Sequence, residues 1–275
     1  MGRLPEPLVT ALRDTAAEWL ARGIPAVVVE VVRSRGSVPR DAGTWMLVAA
    51  DRTAGTIGGG HLEWQAIAHA RALLAAPASR PSALDIALGP SLGQCCGGAL
   101  TLGFAPLDRE RLSASEAAPP RFHLQLYGAG HVGRAIARLL VALDVRVDWI
   151  DERETEFPAA LGEGAWPAHI RRVAGDPVEA EVDTAPPGAY YLVLTHRHDL
   201  DLRIGEAILQ RGDFGYFGLI GSKTKRERFI HRYQALGIAE ETIAGMRCPI
   251  GIDGINGKEP EVIAIGVVAL LLQQR

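Results

Sequence analysis

A glycine turn near the middle of the chain carries the clearest chemical signal. It is Gly128-Ala129-Gly130-His131-Val132-Gly133, between an apolar segment, 122–126, and a segment with helical spacing, 132–143. Where such a turn joins a strand to a helix, the first glycine permits the bend, the second lets a phosphate approach the backbone and the third lets the helix pack on the strand. The helix start also offers free N–H groups to an anion. We therefore expect a phosphate-bearing nucleotide or pterin to contact Gly128, Gly130, His131, Val132 and Gly133.

A carboxylate follows the next predicted strand. Segment 145–150 ends at Asp151, about 20 residues beyond the glycines, where a dinucleotide-binding fold places the acid that contacts a ribose. The alternative is a domain without a nucleotide, in which the glycines serve only the turn. The pattern favours a nucleotide or pterin site that includes Asp151 and leaves the structural alternative open.

Two further loops follow predicted strands of the same half. Thr195-His196-Arg197-His198-Asp199 comes after one strand, and Ile220-Gly221-Ser222-Lys223-Thr224-Lys225 comes after another and opens a helix. Ser222 can cap that helix, whose free N–H groups with Lys223 and Lys225 make either an oxyanion site or an ordinary solvated helix start. Two histidines separated by one residue are a weak metal site without a third ligand, so we expect ligand contact rather than a protein-only metal site. The predicted contact residues of the two loops are His196, His198, Gly221, Ser222 and Lys223.

Adjacent cysteines lie in a glycine-rich stretch of the first half, the cysteine loop Leu92-Gly93-Gln94-Cys95-Cys96-Gly97-Gly98. A zinc site would separate its cysteines by two residues, so zinc is a poor interpretation of Cys95 and Cys96. They are either small buried hydrophobic side chains or thiolates that contact a soft metal centre or carry a persulfide sulfur. The third cysteine, Cys248, precedes Pro249 and is equally open. Three cysteines, two of them adjacent, are a poor basis for disulfides, so we expect reduced thiols.

Composition argues against two classes of partner. The chain has 275 residues and a net charge of −3, and it contains no block of lysine and arginine, so the electrostatic footprint of a nucleic-acid-binding protein is missing. The longest strongly apolar run, 262–272, is too short to span a bilayer, and the N-terminus has no apolar signal segment. We expect a soluble, cytoplasmic protein that binds neither nucleic acid nor membranes.

Hydrophobic periodicity predicts an α/β protein of two domains. The first domain, 1–105, has predicted helices at 6–22 and 61–75 and predicted strands at 24–32, 44–49, 84–88 and 99–104. Residues 106–121, with three prolines and no sustained apolar period, are interpreted as a linker.

The second domain, 122–275, alternates strands with helices. Its predicted strands lie at 122–126, 145–150, 190–195 and 215–220, and its predicted helices at 132–143, 200–211, 222–236 and 260–273. This alternation is typical of a parallel, doubly wound sheet of the Rossmann type. The last helix is apolar nearly all round, so it is either covered within the protein or used in a subunit interface, and we expect a homodimer or a stable complex.

Six stretches, by their order and spacing, resemble the XdhC/CoxI family of accessory proteins for molybdenum hydroxylases, and most closely its xanthine dehydrogenase accessory branch, XdhC. They are Arg35-Gly36-Ser37-Val38-Pro39-Arg40, Gly55-Thr56-Ile57-Gly58-Gly59-Gly60-His61-Leu62-Glu63, the cysteine loop, the glycine turn, the segment 220–225 and Cys248-Pro249-Ile250-Gly251. The resemblance covers nearly the entire chain. The paired cysteines favour the XdhC branch. His61 stands where the CoxI-like branch often has a cysteine, so no thiol role is carried over to that position.

The resemblance implies a chaperone rather than an enzyme. Such proteins bind the molybdenum cofactor (molybdopterin), protect it while a cysteine desulfurase supplies its terminal sulfido ligand, and deliver it to apo-xanthine dehydrogenase. The resemblance then implies that Cys95 and Cys96 contact the molybdenum end of this cofactor. Cofactor binding is implied for the glycine turn, for the loops at 196–198 and 221–223, and for the first-domain residues Gly58, Gly59, Gly60, His61, Glu63, Gln94, Gly97 and Gly98.

A nicotinamide-dependent oxidoreductase is the alternative. It would bind NAD(P) at the same turn and Asp151 and would use His196 or His198 as the acid–base. This explains the second domain but gives the cysteine loop and the three consecutive glycines no task. We therefore expect the cofactor chaperone, and whether a nucleotide also binds at Gly128 stays open.

Overall fold

The structure, a computed structural model, describes residues 9–75, 81–88, 97–116, 120–161 and 166–274. The chain forms two compact units, Met1–Ala118 and Pro119–Arg275, and each unit has hydrophobic cores of its own. No helix in the described ranges is both long enough and apolar enough to cross a bilayer.

An antiparallel sheet forms the centre of the first unit. Its strands in the described residues are β1 (Ala26–Arg35), β2 (Trp45–Ala49), β3 (Thr53–Gly55), β4 (Ser82–Ala87) and β5 (Ala99–Pro106). Their order across the sheet is β3-β2-β1-β5-β4, and every neighbouring pair is antiparallel. The sequence predicted all of these strands except β3, whose three residues are too few to show an alternating pattern.

Helices cover both faces of this sheet. α1 (Val9–Ala21) packs on one face and α2 (Gly60–Ala75) on the other. Their buried side chains are Leu12, Ala16, Trp19, Leu62, Ala66 and Ala70. α2 begins within the run Gly58–Gly60, the first-unit glycine loop, so the fold places this loop at a helix start.

A short helix, α3 (Arg109–Glu116), lies in the stretch that the sequence assigned to a linker. Leu107 and Leu112 pack against the core beneath α1, which holds the helix in place. The sequence shows no apolar period there because the remaining residues of α3 are nearly all polar.

A parallel sheet forms the centre of the second unit. Its strands in the described residues are β6 (His123–Tyr127), β7 (Arg146–Asp151), β8 (Ile170–Ala174), β9 (Tyr190–Val193), β10 (Tyr216–Leu219) and β11 (Met246–Arg247). The order across the sheet is β8-β7-β6-β9-β10-β11, with every neighbouring pair parallel. This is the strand order of a Rossmann fold, and the order reverses between β6 and β9, where such sheets bind their ligands.

Helices on both faces confirm the doubly wound prediction. α4 (His131–Leu140) and α8 (Pro260–Gln273) share one core, and α5 (His198–Arg211) and α6 (Lys223–Ala235) share the other. A shorter helix, α7 (Glu240–Ala244), precedes β11. α8 buries Ala264, Val267, Val268 and Leu271 within this unit, so most of its apolar surface is covered there.

The sequence missed the two edge strands of this sheet. β8 is largely exposed and contains Arg171 and Arg172, so it shows neither alternation nor an apolar run. β11 has two residues. An exposed edge strand or a two-residue strand can be identified only from the neighbouring strand with which it pairs.

Candidate functional site

Packing requires two glycines of the turn that follows β6. A Cβ atom on Gly128, whose φ is +117°, would overlap the carbonyl oxygen of Leu194 just beyond β9. A Cβ atom on Gly133 would overlap the carbonyl oxygen of Gly128 itself. The turn and the start of α4 therefore fit together only without these side chains, as expected for a close contact of helix and strand.

Gly130 is not required by packing. Among the described residues, no atom lies within 4 Å of the position that its Cβ atom would take, and its φ of −70° and ψ of −170° suit any residue. Gly130 is the N-cap of α4, and no described side chain caps this helix. The N–H groups at the start of α4 are therefore left for solvent or a ligand. His131 is exposed beside them and Val132 is partly buried.

Residues of β7 form hydrogen bonds with the backbone of the glycine turn. The N–H of Gly128 donates to the carbonyl of Ile150 at 2.8 Å. The fully buried indole of Trp149 donates from Nε1 to the carbonyl of Gly128 at 3.0 Å. These bonds hold the backbone of the turn in one conformation.

Asp151 is bonded to the glycine turn itself. Its Oδ2 accepts from the N–H of Ala129 at 2.7 Å and its Oδ1 from the N–H of Arg153 at 2.9 Å, while the Arg153 guanidinium donates to both oxygens at 3.0 Å. Burial opposes the charged form, but the hydrogen bonds outweigh burial and hold the pKa of Asp151 below its usual value. With four hydrogen bonds accepted, the carboxylate could bind a ribose hydroxyl only by giving up one of them.

The loop after β9 reaches a carboxylate that follows β7. His196 Nε2 and Arg197 Nη1 lie 3.6 Å and 3.4 Å from the same Oε1 of Glu152. Arg197 also donates to both carboxylate oxygens of Asp199, at 3.2 Å and 2.5 Å, and this pairing lowers the pKa of Asp199 to about 2. His198 is exposed at the first position of α5. The sequence predicted His196 and His198 but missed Glu152 and Arg197, because charged residues beside strands resemble ordinary surface.

The loop after β10 opens α6 as expected. Ser222 is the N-cap, and its Oγ accepts from the N–H of Lys225 at 3.2 Å, which confirms the predicted cap. Gly221 has a φ of +156°, and a Cβ atom there would contact the side chain of Lys225. Lys223 is exposed.

Lys225, which the sequence offered with Lys223 for an anion site, instead forms a buried ion pair beneath these two loops, and its partner Asp201 was not predicted. Lys225 Nζ is 2.5 Å from Asp201 Oδ2 and also donates to the carbonyl of Ile220 at 2.8 Å. Asp201 Oδ1 accepts from the N–H and the hydroxyl of Thr195 at 3.0 Å and 2.7 Å. One ion pair thus connects the loop after β9 with the loop after β10.

The first-unit glycine loop is bonded to a carboxylate of its own helix. Gly58, Gly59 and Gly60 have φ values of +123°, +71° and +64°, which favour glycine. Glu63 Oε2 accepts from the hydroxyl of Thr56 at 2.5 Å and from the N–H groups of Ile57 and Gly59 at 3.0 Å and 3.1 Å. An internal carboxylate therefore occupies N–H groups that the loop would otherwise offer to an anion.

The segment 35–40, which carries part of the resemblance, contacts both glycine-rich stretches of the first unit. A Cβ atom on Gly58 would lie 2.6 Å from Cβ of Pro39, and one on Gly98 would lie 2.5 Å from the carbonyl oxygen of Ser37. Three of the six stretches therefore meet within the first unit, where their glycines permit close approach of the backbone.

An exposed aromatic pair follows the first-unit glycine loop. The rings of His61 and Trp64 are stacked with centroids 5.6 Å apart, and Trp64 is 66% exposed.

Gly97 is one of the described residues of the cysteine loop, and no described atom lies within 4 Å of the position that its Cβ atom would take. The sequence predicted His61 and Gly97 as contact residues and missed Trp64.

Gln94, Cys95 and Cys96, the centre of the predicted cysteine site, lie outside the described residues, so their role stays a prediction.

Cys248 is a buried free thiol whose Sγ is 3.8 Å from the carbonyl of Ser222, and burial raises its pKa. Within the described ranges, no cluster of three or more histidine, cysteine or acidic side chains could hold a metal ion.

Comparison with known protein families shows to which family the chain belongs. Residues 124–271, more than half of its length, match the model of the XdhC Rossmann domain, and residues 19–86 match the model of the XdhC and CoxI family. This chain belongs to the XdhC/CoxI family. The Rossmann prediction and the family resemblance are both confirmed.

Two individual proteins are similar to this family member. YqeB of Escherichia coli strain K12, an uncharacterized protein, is 32% identical over 267 residues, which cover 94% of this chain and 45% of YqeB. The chain thus spans about half the length of this curated relative. A crystal structure of a Bacillus halodurans protein named as a xanthine dehydrogenase matches with a TM-score of 0.76, 17% identity and 95% coverage of each chain. At that identity the match shows the fold.

Proposed function

We propose that this protein is an accessory protein for xanthine dehydrogenase that binds the molybdenum cofactor, supports its sulfuration and delivers it to the apo-dehydrogenase. Family membership supports the accessory role. The observation that carries the binding proposal is Gly130, because open space beside an uncapped helix start is what a phosphate requires and packing gives this glycine no other reason.

The residues of the turn fit the phosphate end of this cofactor. The N–H groups at the start of α4 bind the phosphate, and the hydrogen bond from Ala129 to Asp151 holds the turn in the conformation that presents them. When bound, the cofactor supplies a molybdenum centre held through a dithiolene. We assign that end to Cys95 and Cys96, because thiolates are soft ligands and sulfur carriers.

In the accessory role this chain binds and transfers the cofactor rather than acting as an enzyme, and the role requires partners. A cysteine desulfurase supplies the sulfur, and the apo-subunit of xanthine dehydrogenase receives the cofactor. These partners and the cytoplasmic location stay predictions.

The geometry of Asp151 favours the chaperone over the NAD(P)-dependent oxidoreductase. A dinucleotide site uses a free carboxylate at this position for the ribose. Here both oxygens are occupied by Ala129 and Arg153. His196, one of the two candidate acid–base groups, faces Glu152.

Retention of molybdopterin tests the binding proposal. We expect Gly130→Val to fold normally and to lose most cofactor binding in an anaerobic titration, because the side chain fills the space that a phosphate needs. Gly175→Val is the matched control, since its Cβ atom also meets no described atom within 4 Å but it lies beyond the edge strand β8. Equal binding by the parent and Gly130→Val would leave the turn with a structural role only.

Replacement of the paired cysteines tests the delivery step. We expect the Cys95→Ser, Cys96→Ser double variant to fold but to fail in activating apo-xanthine dehydrogenase, measured per folded molecule. If the thiols only pack, the exchange should cost roughly 1–3 kcal/mol of stability and leave activation per folded molecule intact. Unchanged activation would contradict the assignment of the sulfur end.

A further inference from the structure

An ion cluster connects the ends of two strands that flank the glycine turn. Glu152 directly follows β7, and Arg197 lies in the loop after β9. Nη1 of Arg197 is 3.4 Å and Nε2 of His196 is 3.6 Å from Oε1 of Glu152. The glycine turn stands between these two loops, because β6 lies between β7 and β9 in the sheet.

Both loops also contact the glycine turn directly. Asp151, the residue before Glu152, accepts from the N–H of Ala129, and the carbonyl oxygen of Leu194 lies so close to the position that a Cβ atom on Gly128 would take that the two would overlap. The cluster is therefore attached on each side to the backbone of the turn.

Within the cluster, Arg197 has one nitrogen that a ligand could use. Its Nε and Nη2 are paired with Asp199, which fixes the orientation of the guanidinium. Its Nη1 contacts the carboxylate of Glu152, and at 3.4 Å that hydrogen bond is long. Glu152 is 17% exposed and Arg197 43% exposed, so solvent and small anions reach both.

We propose that Arg197 is the side-chain cation of the phosphate site at the glycine turn, and that Glu152 is an internal carboxylate that a phosphate displaces from Arg197. The inference rests on the proposed function, since it assigns further residues to the same site. A guanidinium binds a phosphate more strongly than it binds a solvated carboxylate at 3.4 Å, because the phosphate offers more acceptor oxygens and more charge. Glu152 lowers the affinity for anions by competing for this nitrogen.

Binding of inorganic phosphate to the full chain, measured by calorimetry at one fixed ionic strength, tests this. We expect Glu152→Gln to tighten phosphate binding about two- to fivefold, the range of an exposed ion pair. We expect Arg197→Gln to weaken it about tenfold, because a charge-assisted hydrogen bond is lost. The double variant should bind as weakly as Arg197→Gln, since Glu152 acts through Arg197.

Two variants control for the change in net charge. Asp213→Asn removes a carboxylate paired with Arg211 at 2.7 Å before the amino end of β10, at the opposite edge of the sheet. Arg22→Gln removes an exposed guanidinium paired with Glu18 in α1. Both controls should bind phosphate as the parent does.

Three results would overturn the inference: Glu152→Gln binding no tighter than the parent, a gain that persists in the Arg197→Gln background, or an equal gain in Asp213→Asn. Failure of the proposed function is separate. If Gly130→Val leaves molybdopterin retention unchanged, the proposed function fails whatever Glu152→Gln does. If Gly130→Val abolishes retention while Glu152→Gln has no effect on phosphate, only the present inference fails.

Discussion

At the residue scale, the three glycines of the turn separate into two kinds. Gly128 and Gly133 meet backbone oxygens, which cannot move aside as a flexible side chain could. Gly130 meets nothing among the described residues. The same residue type therefore serves packing at two positions and ligand access at the third, and substitutions can distinguish them.

We predict that Gly133→Ala lowers the free energy of unfolding by about 3 kcal/mol, because its Cβ atom overlaps the carbonyl oxygen of Gly128. Gly130→Ala should change it by less than about 1 kcal/mol, the range of an N-cap exchange. Urea denaturation of both variants measures the difference. Similar stabilities would show that the backbone at Gly133 moves to accept a side chain.

Asp148 is a second residue whose surroundings determine its chemistry. On β7 it is 4% exposed, with His123 Nε2 at 2.7 Å from Oδ2 and Arg171 Nε at 2.7 Å from Oδ1. Burial opposes its ionisation, but the hydrogen bonds from His123 and Arg171 prevail and lower its pKa to about 2.

This pKa predicts how stability depends on pH. Because the folded pKa lies below the unfolded value of 3.8, the stabilisation is fully present above pH 4 and is lost as the pH falls toward 2. We expect Asp148→Asn to lose about 2 kcal/mol at neutral pH and to show a shallower loss of stability between pH 4 and 2. Asp51→Asn, which removes an exposed partner of Arg52, is the control. Parallel acid profiles for the parent and Asp148→Asn would contradict the assignment.

At the element scale, one ion pair sets the relation of α5 to α6. Asp201 lies in the first turn of α5 and Lys225 in the first turn of α6, and their side chains are 1% and 9% exposed. The pair also fixes Thr195 and Ile220 at the ends of β9 and β10. The loops after β9 and β10 therefore depend on a contact between residues 24 positions apart.

We predict that Asp201→Asn destabilises the second unit by about 3–5 kcal/mol, since it leaves the Lys225 ammonium buried without its counter-ion. The double variant Asp201→Leu, Lys225→Met should recover only part of this loss, because it removes the unpaired charge but leaves the N–H of Thr195 and the carbonyl of Ile220 without their partners. Thermal and urea unfolding measure both. A loss below about 1 kcal/mol for Asp201→Asn would mean that water reaches the pair.

Elements with a periodic apolar face could be predicted from the sequence. The segment 132–143 gave α4 (His131–Leu140), and 260–273 gave α8 (Pro260–Gln273). The strands β8 and β11 could not be predicted, because an edge strand gains its stability from pairing with residues distant in sequence. α3 was not predicted for a related reason, because only a few side chains pack it against the core beneath α1.

At the scale of the whole molecule, the sequence predicted the parallel sheet of the second unit, but neither the antiparallel order of the first sheet nor which side chains meet at the strand ends. The positions of the glycine turn, Ser222 and Asp151 followed from local spacing. The contacts of Glu152 with Arg197 and of Asp201 with Lys225 depend on strand order, which a single sequence does not reveal. The contact roles predicted for residues such as His131, His198 and Lys223 stay predictions.

The homodimer also stays a prediction, and the exposed residues of α8 indicate which surface would form the contact. Ile265 and Leu272 are 53% and 39% exposed on this helix, while Val267 and Leu271 are buried in the second unit. We expect Ile265→Glu to shift light-scattering mass toward the monomer, because it places a charge in an apolar contact. Glu261→Lys, an exposed exchange on the same helix, is the control. A parent that is monomeric at high concentration would remove the prediction.

The position of Trp149 gives the protein an optical reporter of its own. Its indole is buried, donates to the carbonyl of Gly128 and lies 6.2 Å from the ring of Trp166. Indole emission responds to the local electric field, so an anion at the glycine turn would alter the colour or yield of this fluorescence. A change in emission that the parent shows and Trp149→Phe does not would therefore follow occupancy of the turn without a dye, against the background of the other four tryptophans.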